Sequence, residues 1–375
     1  MRVVVVGGGS VGANIAYRLA AGGRDVTVLD AGRPGQGTTG ASISWLSSFP
    51  QAAAAEPAEL ELRLSIRRAF ADLEAEAGGD WMHWADTLTW ASDPQVCDRL
   101  RADWKASAER GVSVEVLTGS EARAREPALA VPDAAEVYVE HGGGWVDAPL
   151  LVETLLHAAS HRGATVIEQA RVVAVKQAGG RVTAVVTDSG REFGADVVVN
   201  AAGSWASHVG AMAGCTLPLD LRPGLMVYSQ PLPAGPLGHV LNTPKLNIRP
   251  DPGGGAAIHA RAESMYGRHG LNALTPGEVI EAAARWLPAL AGTQALRSRV
   301  GIRPVPPGGP VIGPHPGLDG FYVAVSHGGI GWGPLWGTFA ASEIGGSKVA
   351  ALDRWRPDRF LASSALMTEG DGTCA

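Results

Sequence analysis

MRVVVVGGGSVGANIAYRLAAGGRDVTVLD, residues 1 to 30, decides the fold. Arg2 to Val6 is an apolar, β-branched run, too short for a helix and of the kind buried as a parallel strand. The chain then turns through Gly7, Gly9 and Gly12, a G-x-G-x-x-G, into a helix pattern carrying Val11, Ile15, Ala16 and Leu19. A second β-rich run, Asp25 to Leu29, ends at Asp30. Gly7 permits the tight turn, Gly9 lets a pyrophosphate approach the backbone, and Gly12 lets the helix pack closely on the strand. Ser10 and Val11 open that helix, where N–H groups and the helix dipole favour phosphate charge. Asp30, about 20 residues after the first glycine, suits a ribose 2′-OH. Strand, glycines, helix, strand and acid in that order predict a dinucleotide site.

The loop after Asp30 extends the argument. Ala31 and Arg33 lead into Gly37-Thr38-Thr39-Gly40-Ala41-Ser42, a glycine and hydroxyl cluster. Its Thr38, Thr39 and Ser42 hydroxyls can donate to a second phosphate contact. Nicotinamide enzymes need no such loop here, whereas a flavin dinucleotide threaded through the protein does. A second strand-to-helix turn points the same way. Phe321 to Val325 delivers Ser326-His327-Gly328-Gly329-Ile330-Gly331-Trp332-Gly333 into a helix from Pro334 to Ile344. That helix start is expected to favour negative charge on the pyrimidine end of a reduced flavin.

Length and composition bound the alternatives. A chain of 375 residues exceeds one typical core, so at least two domains are expected. Its 46% hydrophobic and 18% charged residues are globular, and a net charge of −6 with no basic run argues against nucleic acid. No apolar run is long enough for a membrane span, and none of the chain reads as a secretory signal. Cys97, Cys215 and Cys374 form no C-x-x-C and no disulfide framework, which fits a reducing, cytoplasmic location. No metal site is expected.

Between the two turns the pattern alternates. Helices are expected over Pro57–Ala77, Pro94–Arg110, Pro149–Arg162 and Pro276–Leu287, with a short one after Ser120. Strands are expected at Leu88–Trp90, Val114–Leu117, Ala164–Glu168 and Asp196–Asn200, and a hairpin of Val172–Lys176 with Val182–Thr187 around Gly179-Gly180. Asp196–Asn200 runs into Ala201-Ala202-Gly203-Ser204-Trp205, small residues at a strand's carboxyl end, where a cofactor can lie against backbone. Leu217–Ser229 and Leu237–Ala262 have the Pro and Gly spacing of an antiparallel sheet and are expected to wall a substrate cavity. Period 2 puts His259 and Arg261 on one face; His259 reads first as a structural histidine, then as a substrate-pocket residue. The tryptophans Trp81, Trp84, Trp90 and Trp104 read as packing.

These segments together resemble the FAD-dependent D-amino-acid oxidase superfamily, nearest its glycine oxidase and sarcosine oxidase branch. The likeness is carried by the N-terminal G-x-G-x-x-G, by Gly37 to Ser42, by Gly144-Trp145-Val146-Asp147, by Asn200 to Trp205, and by Gly301-Ile302-Arg303-Pro304 with Pro310 to Gly313 and His327 to Gly331. The resemblance implies an α/β fold of two domains, a Rossmann-like FAD-binding domain and a discontinuous antiparallel-sheet substrate domain. The expected division is 1–78, 145–214 and 300–361 for FAD, 79–144 and 215–299 for substrate, and 362–375 as a flexible tail. It implies FAD contacts at Gly7, Gly9, Ser10, Val11, Gly12, Asp30, Ala31, Arg33, Thr38, Thr39, Ser42, Val172, Ala202, Gly203, Trp205, Gly301, Arg303 and His327 to Trp332.

The resemblance also implies hydride transfer from an amine C–H to flavin N5, and binding of the substrate carboxylate by Arg303. A guanidinium fork matches a carboxylate bidentately; the other reading of Arg303 is an ion pair between domains. Asn247 stands where glycine oxidases carry a substrate tyrosine, Ser44 where relatives often have glycine, and Gly255–His259 lacks the lysine that sarcosine oxidases use toward oxygen. No cysteine matches a flavin-linking one, so FAD is expected to be non-covalent. The substrate wall departs most from the family, so an amine larger than glycine or sarcosine is expected. Three readings follow: an amino-acid or N-substituted-glycine oxidase reoxidised by oxygen, an amino-acid or 2-hydroxy-acid dehydrogenase using another acceptor, and a flavoprotein subunit without turnover.

Overall fold

The computed structural model describes residues 1–49, 51–233, 235, 237–260 and 274–361. Strand β1 (Arg2–Val6), helix α1 (Ser10–Ala21) and strand β2 (Asp25–Leu29) form as the opening stretch predicts. β1 lies between β2 and Val197–Asn200, parallel to both, with Val6 opposite Leu29 on one side and Asn200 on the other. The whole sheet runs Val311–Pro314, Phe321–Val325, Val197–Asn200, β1, β2, Thr165–Ile167. Only Val311–Pro314 is antiparallel to its neighbour. Because side chains alternate along a strand, Val3 and Val5 enter one core and Val4 and Val6 the other. The first core is closed by α1, Ala148–Ser160 and Gly333–Ile344, with Phe70 and Leu73 from Pro57–Ala77. The second is closed by a three-stranded meander, Val172–Ala178, Arg181–Thr187 and Glu192–Gly194. Its first turn is the expected hairpin, with Gly179 and Gly180 both at positive φ.

A second sheet has eight strands, in the order Ala295–Val305, Asp220–Ser229, Ala256–Ala260, Leu246–Pro250, Val240–Asn242, Thr87–Thr89, Glu136–Glu140, Val114–Thr118. The expectation of an antiparallel sheet needs one correction. Val240–Asn242 runs parallel to Thr87–Thr89, because this sheet is completed by a segment that enters from elsewhere in the chain. Its own core holds Leu88, Trp90, Val137, Val139, Leu241 and Ile258. A further small sheet, Trp45–Leu46, Gly144–Val146 and Met82–Trp84, joins the two bodies. Ala295–Val305 is one continuous strand of the large sheet, so the boundary expected at residue 300 falls inside it. The expected tail, 362–375, and Arg261 lie outside the described residues.

Helix ends follow their capping chemistry. Thr118 and Thr275 each form a capping box with Glu121 and Glu278. Asp93 and Asp147 cap the helices that begin with Pro94 and Ala148. α1 differs: Gly9 precedes it and has no side chain to cap it.

Candidate active site

A cavity of about 680 Å³ runs from the start of α1 to the face of the large sheet. Gly9, Ser10 and Val11 line one end. Gly12 cannot carry a side chain, since a Cβ there would lie 1.9 Å from the Gly7 carbonyl oxygen. Gly7, at φ +105°, has its own Cβ position 2.5 Å from the Ala201 carbonyl oxygen. The turn is therefore pressed against both α1 and the end of Val197–Asn200, and the helix start opens into the cavity. Asp30, at the end of β2, accepts the N–H groups of Gly8 (2.7 Å) and Gly32 (2.8 Å). It ties the turn to the following loop and keeps further lone pairs for a ribose hydroxyl.

That loop is only partly as expected. Thr39 lines the cavity and its hydroxyl accepts the Ser10 N–H at 3.0 Å, which leaves its own proton for a phosphate. Thr38 also lines the cavity, but it donates its proton to the Ile302 carbonyl at 2.6 Å. A hydroxyl has one proton, so the donation expected from Thr38 is already spent on the long strand. Ser42 lines the cavity and accepts the Ser44 N–H. Ser44 itself sits at φ +53°, the left-handed region in which glycine is at ease. Its departure from glycine is thus tolerated at the cost of local strain.

The second glycine-rich turn meets the first. His327, Gly328, Gly329, Ile330, Gly331 and Trp332 all line the cavity. The Ser10 hydroxyl donates to the Gly329 carbonyl at 3.4 Å, and a Cβ on Gly329 would come within 2.9 Å of Val11. Gly203 and Gly301 complete this part of the lining.

Other sequence-expected residues lie outside the lining. Ala31 and Arg33 are on the loop beside Asp30, and Ala202 adjoins the lining residues Ala201 and Gly203. Val172 is buried under the meander, near the point where Ala170 donates to the Asp30 carbonyl. Trp205 is 65% exposed, its ring beside His208.

The opposite wall is the large sheet. Asn242, Asn247 and His259 stand directly opposite one another on three adjacent strands. Asn242 donates to Thr89 (3.2 Å), Asn247 to Asn242 (2.9 Å), and His259 Nδ1 lies 3.5 Å from Asn247 Oδ1. Gly224 pairs with Gly301, and its vacant Cβ position is 3.0 Å from His259 Nε2 and 3.6 Å from Arg303 Nε. The absence of a side chain at 224 therefore lets Arg303 and His259 converge. Arg303 also approaches the Pro223 carbonyl (3.4 Å) and is part-buried. Asn247, His259 and Arg303, named separately in the sequence, share one wall of one cavity.

Three further features had no sequence signal. Glu140 is buried, lines the cavity, and accepts from Ser47 and Ser48. Arg249 is buried and donates to the carbonyls of Ile43 and Pro250. His83 stacks on Trp145 with ring centres 3.8 Å apart, and burial lowers its pKa. Glu136–Glu140 has only three apolar residues between two acids, and nothing local separates it from a loop.

A phosphate-type turn that opens, beside a second glycine-rich turn, onto a polar sheet defines a nucleotide-cofactor oxidoreductase. The chain belongs to the DAO family of FAD dependent oxidoreductases, whose model matches residues 2–340. It is 30% identical over 359 residues to the uncharacterized oxidoreductase YurR of Bacillus subtilis, covering 92% of this chain and 95% of that one. It is 28% identical to glycine oxidase of Geobacillus kaustophilus, covering 91% and 92%. The crystal structure of that species' glycine oxidase superposes with a TM-score of 0.83 at 27% identity, over 95% of this chain and 98% of the other. The D-amino acid dehydrogenase of Methylobacterium nodulans is 28% identical, covering 88% and 92%. The expected flavin dinucleotide and two-part α/β fold are thereby established. Among the described residues, Cys97 and Cys215 lie away from the cavity lining, in keeping with non-covalent FAD, and no helix is long and apolar enough to cross a membrane.

Proposed function

We propose that the protein oxidises the C–N bond of a small amino acid or N-substituted glycine bound between Arg303 and the His327–Gly331 turn. FAD, when bound, supplies the electron-accepting ring that takes the hydride from the substrate C–H. The observation that carries the reading is the convergence of Arg303 and His259 over Gly224, on the wall that closes the cavity opposite the two glycine turns. Arg303 would grip the carboxylate bidentately. His259 and Asn247 would flank the amine and its substituent. No general base is needed on this wall, because hydride loss from a neutral amine depends chiefly on orientation. Water would hydrolyse the product imine, and oxygen would be the final acceptor, giving hydrogen peroxide.

Anaerobic bleaching of the flavin absorbance against amino acids, N-alkyl glycines and 2-hydroxy acids tests this. An amine should bleach it, and Arg303→Ala should retain FAD while raising the KM for that amine about 100-fold, the value of a lost charged bidentate contact of ~2–3 kcal/mol. Unchanged KM in the variant would sink the role of Arg303. A second reading, a dehydrogenase with a different acceptor, is favoured by the likeness to D-amino acid dehydrogenase. Reduced enzyme mixed with air separates the two, since a dehydrogenase's flavin stays reduced.

A further inference from the structure

The Ser47 hydroxyl oxygen lies 2.6 Å from the Phe49 carbonyl oxygen and 2.5 Å from Oε2 of Glu140. Oxygens at that separation share a proton. A serine hydroxyl owns one proton, and both a carbonyl and an ionised carboxylate are acceptors only. The two contacts therefore need a second proton, and Glu140 is its one source. Oε1 receives the Ser48 N–H at 2.6 Å, which leaves Oε2 as the oxygen that carries it.

Burial outweighs the hydrogen bonds from the Ser47 hydroxyl and from the Ser48 and Phe49 backbones, which favour the ionised carboxylate. Glu140 is 4% exposed at the end of its strand. The charge facing it is Asp86, of like sign, which is itself bound by His141 Nδ1 (2.9 Å) and the Gly142 N–H. His141 Nε2 turns to Glu115, which pairs with Arg125. From helix Pro57–Ala77, Arg67 rests against Gly142 and the ring of Trp84. Burial, the largest influence, pushes the Glu140 carboxyl up to about 7.

We propose that Glu140 is held as a neutral carboxylic acid, and that its proton fastens the Ser47–Ser48 wall of the cavity to the large sheet. Glu140 is then a positioning residue for the oxidation. When its proton leaves to solvent, the carboxylate takes Ser47's only proton. The Ser47–Phe49 contact becomes two facing lone pairs, and the wall that Ser47 and Ser48 supply is released.

Glu140→Gln tests this in the FAD-loaded protein. The amide can donate to Ser47 and accept from Ser48, but it cannot ionise. The infrared difference between wild type and Glu140→Gln should contain the C=O stretch of a carboxylic acid, lost on raising the pH through the break near 7. Ser47→Ala should keep that band but move it to higher frequency, as its hydrogen bond is lost. In kinetics, which rest on the amine-oxidation reading, wild-type kcat/KM should fall above the break while Glu140→Gln runs flat through it. A difference spectrum with carboxylate bands alone, a band unmoved by Ser47→Ala, or an identical pH break in Glu140→Gln would each overturn the proposal. The infrared arms hold whatever the substrate, so they fail independently of the function assigned above.

Discussion

Arg249 lays its guanidinium 4.4 Å from the ring centre of Trp145, on the strand that also carries Asn247, while its Nε donates to Ile43 at 2.8 Å. One buried cation thus joins the large sheet to the small one and to the loop behind Ser42. Burial drags its pKa down, yet its two carbonyl bonds and the aromatic face offset the lost hydration. Arg249→Met fills the space but leaves the Ile43 and Pro250 carbonyls without that donor. We expect a loss of about 2–4 kcal/mol in urea unfolding. A variant as stable as wild type would show that the removed charge costs as much as its bonds return.

Gly12→Ala should abolish FAD retention. The added Cβ would meet backbone, the Gly7 carbonyl oxygen at 1.9 Å, rather than a flexible side chain. Relief requires α1 to move off β1, taking the phosphate end of the cavity with it. FAD content of the purified variant checks this; a stoichiometric yellow protein would refute it.

Gly224→Ala should act at the other end of the cavity. Its Cβ would stand 3.0 Å from His259 Nε2, which must give by a few tenths of an ångström, and 3.6 Å from Arg303 Nε, an ordinary contact that closes the space through which the guanidinium reaches His259. FAD content should be unchanged while KM for the carboxylate substrate rises about tenfold, a loss of ~1.4 kcal/mol in a contact that depends on orientation. Steady-state kinetics beside a flavin assay distinguish this from general damage.

Glu140 also links pH to stability. Its folded pKa, about 7, lies above its ordinary value of 4.5. A raised acid binds its proton more tightly when folded, so its contribution is full below 4.5 and is lost as pH rises to 7. The loss amounts to about 3 kcal/mol over that window. Urea midpoints for wild type minus Glu140→Gln should decline with rising pH; a flat difference argues that the acid is ionised throughout.

The opening stretch was legible because its physics is local. Four consecutive valines, three glycines and a helix period require no knowledge of distant partners, and Phe321–Val325 was readable on the same terms. Glu136–Glu140 was not, since its strand character depends on Thr87–Thr89 and Val114–Thr118 beside it. The site divides likewise. His259 stands out by alternation, and Arg303 and Asn247 by the family resemblance, but the convergence of Arg303 and His259 at Gly224 depends on the register of several strands. The bond from Thr38 to the Ile302 carbonyl, 264 residues away, has no local signal. Ser47 and Glu140, 93 residues apart, are individually ordinary.

β1 is made long before the strands that flank it on one side, Val197–Asn200 and, beyond that, Phe321–Val325. At ~5–20 residues per second, a ribosome takes roughly 10–40 s to deliver the first of these neighbours after β1 has emerged. For that interval Val3 to Val6 can pair with β2 on one side only, leaving an apolar edge open to any other strand. The phosphate turn, whose Gly7 leans on Ala201, cannot close before then either. The backbone cradle of the pyrophosphate is therefore completed only once residue 201 has joined β1.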